Sequence, residues 1–119
     1  MDLFTPPCTS ALQALMGAEA SQISTAAFRR GLEVELEHGL EFSDANVTNN
    51  HPILTAKIVV AHLKEMLDYY ERLEVAELEG DLLKAIIAGD IDKVRSKQEA
   101  LVAARTVLSQ RESAQLAQS

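Results

Sequence analysis

Leu32-Glu33-Val34-Glu35-Leu36-Glu37 is the stretch whose reading decides the fold. Apolar and acidic residues alternate strictly along it, and a period of two is the mark of a half-buried strand. Two facts outweigh the alternation. Leu and Glu are strong helix formers, and the chain has no second run of this kind for a strand to pair with. At 100° per residue, Phe28, Leu32 and Leu36 share one face of a helix. Ser24 or Thr25 suits its N-cap, His38 its last turn, and Gly39 the position just past its end. We therefore expect an all-α fold.

Working outward, residues 1–9 read as an extended arm stiffened by Pro6-Pro7, and Ser10 to Met16 as a short helix that Gly17 ends. Asp44 to Asn50 is a loop of turn formers. Pro52 suits the first turn of a helix carrying Ile53 to at least Met66, and Asp68 a cap for a continuation over Tyr69 to Leu78. Gly80-Asp81 and Gly89-Asp90 each combine a stop with a cap and bracket a short helix, Leu82 to Ala88. A last helix runs from near Ile91 to about Gln110, and the polar tail Arg111 to Ser119 is expected to fray. The expectation is a small bundle of four or five helices with an extended N-terminal arm. It divides into arm and short helix (1–24), a helical core with a polar Glu/His cluster (25–79), and C-terminal helices and tail (80–119). Ile91, Val94, Leu101 and Leu108 form a narrow seam on the last helix, interrupted by Gln98 and Arg105. It suits the docking of one neighbour, in its own domain or on a partner.

Length and composition bound the function. The 119 residues suit one domain, and 47% hydrophobic with 24% charged residues is globular composition. Aromatics are 4%, so the core is built from Leu, Ile, Val and Ala. Cys8 is the one cysteine, which excludes an internal disulfide and a Cys-based zinc site. The net charge of −7 argues against nucleic acid, whose phosphates call for a basic face. The charge is uneven: 14 acids against 4 bases over residues 33–92, then 5 bases against 2 acids over 93–112. An acidic body and a mildly basic last helix could associate head-to-tail between copies, or the asymmetry is a solvated surface. The N-terminus lacks the basic and apolar regions of a signal peptide. Apolar runs such as Ile58 to Ala61 are far too short for a bilayer. A cytoplasmic or virion location, with no membrane partner, is expected.

Polar residues inside apolar arcs are the candidate site. Glu35 falls within the face of Phe28, Leu32 and Leu36, with His38 at its edge. On the helix after Pro52, His62 and Glu65 fall within the arc of Leu54, Ile58, Leu63 and Met66, in line with Tyr69. Glu35-x-x-His38 and His62-x-x-Glu65 are thus reversed copies of one spacing, and on antiparallel neighbours they would meet at one level. Imidazole and carboxylate are ligands of zinc, iron and manganese (Zn, Fe, Mn). One E-x-x-H in the right order supports a mononuclear metal site, or one shared across a dimer. The same four residues equally suit a structural hydrogen-bond network completed by Tyr69 or Tyr70, or plain surface exposure. No other constellation is complete. Asp44-x-Asn46-x-Thr48 imitates a calcium loop, but Asn49 replaces its Gly and Thr55 its last Glu. No Gly-rich phosphate loop is present, and Cys8 lies far along the chain from any His.

These residues carry a family likeness. Gly31-Leu-Glu-Val-Glu-Leu-Glu-His-Gly39 resembles the G-x-x-V-E-L-E-H motif of a family of small domains of unknown function in bacteria and their phages. Asn46-Val-Thr-Asn-Asn-His-Pro52 resembles its N-V-T-N-D-D-P element, with Asn50-His51 replacing two acids. Lys57-Ile-Val-Val-Ala-His-Leu-Lys-Glu65 and Asp68-Tyr-Tyr-Glu-Arg-Leu73 resemble its third block, with Leu67 where the family has Pro. The resemblance spans residues 28–73 and implies a small helical domain in which Glu35, His38, His62, Glu65, Tyr69 and Tyr70 form a shared cluster. It implies no activity. With no complete active site and a seamed last helix, the expected function is non-catalytic: an assembly or interaction protein with protein partners or copies of itself, such as a phage structural component. The alternative is a small metal-binding protein using Glu35, His38, His62 and Glu65.

Overall fold

The computed structural model describes residues 6–17, 20–41, 44 and 51–118. Every regular element among them is helical: α1 (Pro6–Leu15), a 3₁₀ turn (Ala20–Gln22), α2 (Thr25–Glu41), α3 (Pro52–Glu65), α4 (Tyr69–Ala88) and α5 (Ile91–Gln118). The all-α expectation holds, and residues 32–37 lie inside α2. The chain divides into two compact units, Met1–Leu67 and Asp68–Ser119.

In the first unit α1, α2 and α3 pack on one another around Leu12, Ile23, Phe28, Leu32, Ala56, Val59 and Leu63, all buried. The arm expected over residues 6–9 is helix instead. A proline in the first helical turn lacks an N–H that would have no intrahelical acceptor there, so Pro6-Pro7 opens α1 rather than preventing it. Residues 1–5 of that arm, and the expected 45–50 loop, lie outside the described residues. Gly17 ends α1 with φ 95°. Gly39 does not end α2, which continues to Glu41, because glycine also accepts right-handed helical angles and stops a helix only where it turns left-handed. Ser24 Oγ accepts from the Ala27 N–H at 3.1 Å and caps α2.

A buried glutamine closes this unit. Gln13 Nε2 donates to the carbonyls of Ala20 (2.7 Å) and Ile23 (2.6 Å), and Thr25 Oγ1 donates to Gln13 Oε1 at 3.1 Å. One side-chain amide thereby satisfies two carbonyls where the chain turns from α1 into α2, and buried groups of this kind are costly when left unpaired.

The second unit is a helical hairpin. Arg72–Glu112, Glu79–Arg105 and Asp81–Lys97 rise along α4 as they fall along α5, so the helices are antiparallel. Gly80-Asp81 does not break α4, which runs unbroken for 20 residues. The break falls at Gly89 (φ 70°), where the Gly89 N–H reaches the Ile86 carbonyl and the Asp90 N–H the Ala85 carbonyl. Asp90 Oδ1 then accepts the Lys93 N–H and caps α5. The tail expected to fray from Arg111 is helical to Gln118, because Arg111, Glu112 and Gln115 all find partners on α4 or at its cap.

Replacing Gln13 by Ala takes this donor from the Ile23 carbonyl and leaves the Ala20 carbonyl with the Ile23 N–H alone. We expect the variant to lose about 1–3 kcal/mol in urea denaturation, with unchanged helix content by circular dichroism.

Candidate functional site

Among the four candidate ligands, Glu35 and His62 meet. His62 Nε2 on α3 stands 3.4 Å from Glu35 Oε1 on α2, with the carboxylate side chain 16% exposed and the imidazole 31%. On α2 the expected face holds Glu35 as read, but on α3 the buried face is Thr55, Ala56, Val59, Val60 and Leu63 rather than the expected arc of Leu54, Ile58, Leu63 and Met66, of which Leu54 and Met66 are exposed; His62 reaches Glu35 from the edge of that buried face. His38 lies half-buried one turn further along α2, and Glu65 is exposed at the last position of α3. Among the described residues no group of three or more His, Cys, Asp or Glu side chains is placed to hold a metal ion. Structural zinc takes four protein ligands and catalytic zinc three, whereas this contact supplies two. Its evident chemistry is a partly buried ion pair or hydrogen bond that ties α2 to α3. Tyr69 and Tyr70 open α4, in the second unit. Tyr70 is buried, and the two rings meet edge to face, 4.9 Å between centroids at 87°.

A second polar site was invisible in the sequence. Asp68 holds the N-cap position of α4, but its side chain makes no cap hydrogen bond. It is 3% exposed and accepts from Arg72 Nε (2.9 Å), Arg72 Nη2 (3.0 Å) and Gln115 Nε2 (2.9 Å). Arg72 Nη2 also donates to Glu112 Oε2 at 2.9 Å. The start of α4 is thus fastened to the end of α5. The fork of hydrogen bonds from Arg72 holds the Asp68 carboxyl below its ordinary range and raises the Arg72 guanidinium in return.

The third feature is apolar. Val94, Leu101 and Leu108 of the expected seam lie buried or half-buried on α5, whereas Ile91 at the turn is exposed. The seam faces α4, with Lys97 and Ala104 filling the alternate positions. On α4 the matching stripe is Val75, Leu78, Leu82 and Ala85. On the opposite side of α4 lies a second stripe, Leu73, Ala76, Gly80, Leu83 and Ile87, at the 3–4–3–4 spacing of a coiled-coil seam. Leu73 is half-buried, Leu83 is 58% and Ile87 77% exposed, and Ile86 and Ile91 add exposed surface near the turn. Gly80 sits mid-helix, where it costs about 1 kcal/mol relative to Ala. A Cβ added there would meet nothing within 4 Å, so packing inside the chain does not require the glycine.

Together these features define a small all-α protein, a three-helix unit followed by a helical hairpin, with an uncovered apolar helix face. The chain belongs to the family of proteins of unknown function DUF5661, which matches residues 9–79. The match takes in most of α1, the 3₁₀ turn, α2, α3 and the first half of α4, and ends just before Gly80. No curated protein and no solved structure matches the chain.

Two outcomes follow from the polar sites. Combining Glu35→Gln with His62→Gln in a double-mutant cycle should give a coupling of about 0.5–1 kcal/mol in urea denaturation. For Asp68, a folded-state pKa below the unfolded value stabilises the hairpin above the ordinary carboxylate range, near pH 4, and this is lost as pH falls through the folded value. Thermal melts of Asp68→Asn should therefore start lower at neutral pH and decline less than wild type on acidification.

Proposed function

We propose that this protein is a non-catalytic interaction module that assembles with other protein through the outer face of α4. The observation that carries the reading is the imbalance within the hairpin. Its buried apolar residues are Tyr70, Ala85, Leu101 and Ala104, two of them alanines, whereas Leu83, Ile86, Ile87, Ile91, Val102, Val107 and Leu116 are exposed. Two helices with so thin a core gain most of their stability from packing against something further, and contiguous exposed apolar surface marks interaction sites. The face offers a helical ridge at coiled-coil spacing, which fits another helix laid along it.

The polar sites support the same reading, because each is already used in holding helices together. Glu35–His62 ties α2 to α3, and Asp68–Arg72–Gln115 ties α4 to α5. We extend the proposal to a structural component of a phage particle, the setting that the family resemblance suggests. Capsid or tail genes beside its own would support that extension, and metabolic neighbours would remove it.

The test is a Leu83→Glu, Ile87→Glu double variant compared with wild type by size-exclusion chromatography with light scattering, alone and mixed with the products of adjacent genes. Wild type should run above its 13.0 kDa chain mass, alone or in a mixture. The variant should keep its circular dichroism spectrum and run as a monomer throughout. Wild type that is monomeric in every mixture would refute the proposal.

A further inference from the structure

We infer that the occupant of the outer face of α4 is a second copy of this chain, its α4 parallel and in register with the first; this rests on the interaction reading above and names its partner. Three observations lead there. The stripe Leu73, Ala76, Gly80, Leu83, Ile87 alternates the a and d positions of a heptad without a polar interruption, so it can pair with a copy of itself. The glycine in its middle, which nothing inside the chain requires, lets two helix backbones approach at the centre of such a pairing, with Leu73, Leu83 and Ile87 closing the layers on either side.

The third observation is the charge order beside the stripe, and it decides the direction. The residues flanking it are Arg72 and Glu79 on one side and Glu77 and Lys84 on the other. In a parallel coiled coil each g position faces the e position five residues further along the partner helix. Arg72 then faces Glu77 of the second copy and Glu79 faces its Lys84, and symmetry doubles both to four attractive pairs. One antiparallel register sets Ile87 against Ala76 and Leu83 against Gly80; it leaves Leu73 outside the contact and offers Glu77 beside Lys84 alone, two attractive pairs by symmetry against the four of the parallel pairing. The other sets Leu73 against Leu83 and Ala76 against Gly80. That pairing puts Glu77 beside Glu77 and Glu79 beside Glu79, and like charges so placed disfavour it. The contact is isologous, the same face on both copies, as twofold dimers require. Glu79 already binds Arg105, and Arg72 binds both Asp68 and Glu112; with side chains 53% and 42% exposed, each would share its charge with the second copy rather than give up its present partner.

The experiment uses the full chain with Cys8→Ser, which leaves no native thiol, and Ile87→Cys. In the parallel register the two introduced thiols face each other across the axis, and mild oxidation should convert most of the protein to a disulfide-linked dimer. In either antiparallel register they lie at opposite ends of the contact and stay reduced. Wild type should show twice the chain mass by light scattering at high micromolar concentration. Lys84→Glu should weaken the dimer about three- to tenfold, and adding Glu79→Lys should restore it. A dimer that Ile87→Cys fails to link, or that Lys84→Glu leaves unchanged, would overturn the parallel register. A wild-type chain that stays monomeric yet binds another protein in a manner abolished by Leu83→Glu, Ile87→Glu would overturn the self-pairing and leave the interaction reading standing. A monomer that binds nothing would remove both.

Discussion

Two helices in contact cover one stripe of each other, and any further apolar stripe they carry is left facing water. That constraint governs the second unit. α4 is apolar on two opposite sides, and α5 covers the stripe of Val75, Leu78, Leu82 and Ala85. The salt bridges that cross the hairpin are largely exposed, and pairs of that kind contribute little strength individually. Their effect is on direction and register: Arg72 with Glu112, Glu79 with Arg105 and Asp81 with Lys97 are compatible with one antiparallel alignment. The cohesion lies in the small contact surface around Ala85, Leu101 and Ala104.

The two units close their open ends by the same physical means with different chemistry. In the first, Gln13 reaches from α1 to two carbonyls beyond it, and Thr25 completes the amide's bonding. In the second, Asp68 gives up the cap hydrogen bond its position offers and turns to Arg72 and Gln115. An amide does not titrate, so the first closure is indifferent to pH. A carboxylate held below its ordinary range makes the second sensitive to acid. The Glu35–His62 contact belongs with these closures, since it joins two helices.

Much of this was legible in the residues. The 32–37 alternation resolves to helix because Leu and Glu form helices well and a lone strand has nothing to pair with. Glu35 falls within the apolar face of α2, and His62 meets it, but the apolar arc of α3 is misjudged: Leu54, Glu65 and Met66 are exposed, because small Thr55, Ala56 and Val59 form the face that packs and carry little weight in a hydrophobic pattern. What stayed hidden depends on partners far along the chain. Gln115 lies 47 residues from Asp68 and Glu112 40 from Arg72, so residues 111–118 read as a solvated tail. Gly80 reads as a stop because a glycine followed by an acid resembles a helix boundary. The boundary is at Gly89 instead, where the backbone turns left-handed. Read as a continuous helix, residues 69–88 show the second stripe from sequence alone. The false stop at Gly80 cut that stripe in two.

The charge distribution takes on a different meaning once the hairpin is known. Fourteen acids against four bases over residues 33–92, followed by a basic stretch over 93–112, suggested attraction between the acidic part of one copy and the basic part of another. Within the chain, Lys97, Arg105 and Arg111 already face Asp81, Glu79 and Glu71. The basic stretch thus meets its acidic complement inside its own hairpin, and the long-range attraction that would drive head-to-tail association is largely internal. A partner that approaches α4 from the other side meets an apolar ridge with two charges on each edge. Burial of the ridge supplies the favourable energy there without regard to direction. The order of the edge charges, Arg72 and Glu79 against Glu77 and Lys84, distinguishes one orientation of a helical partner from the other.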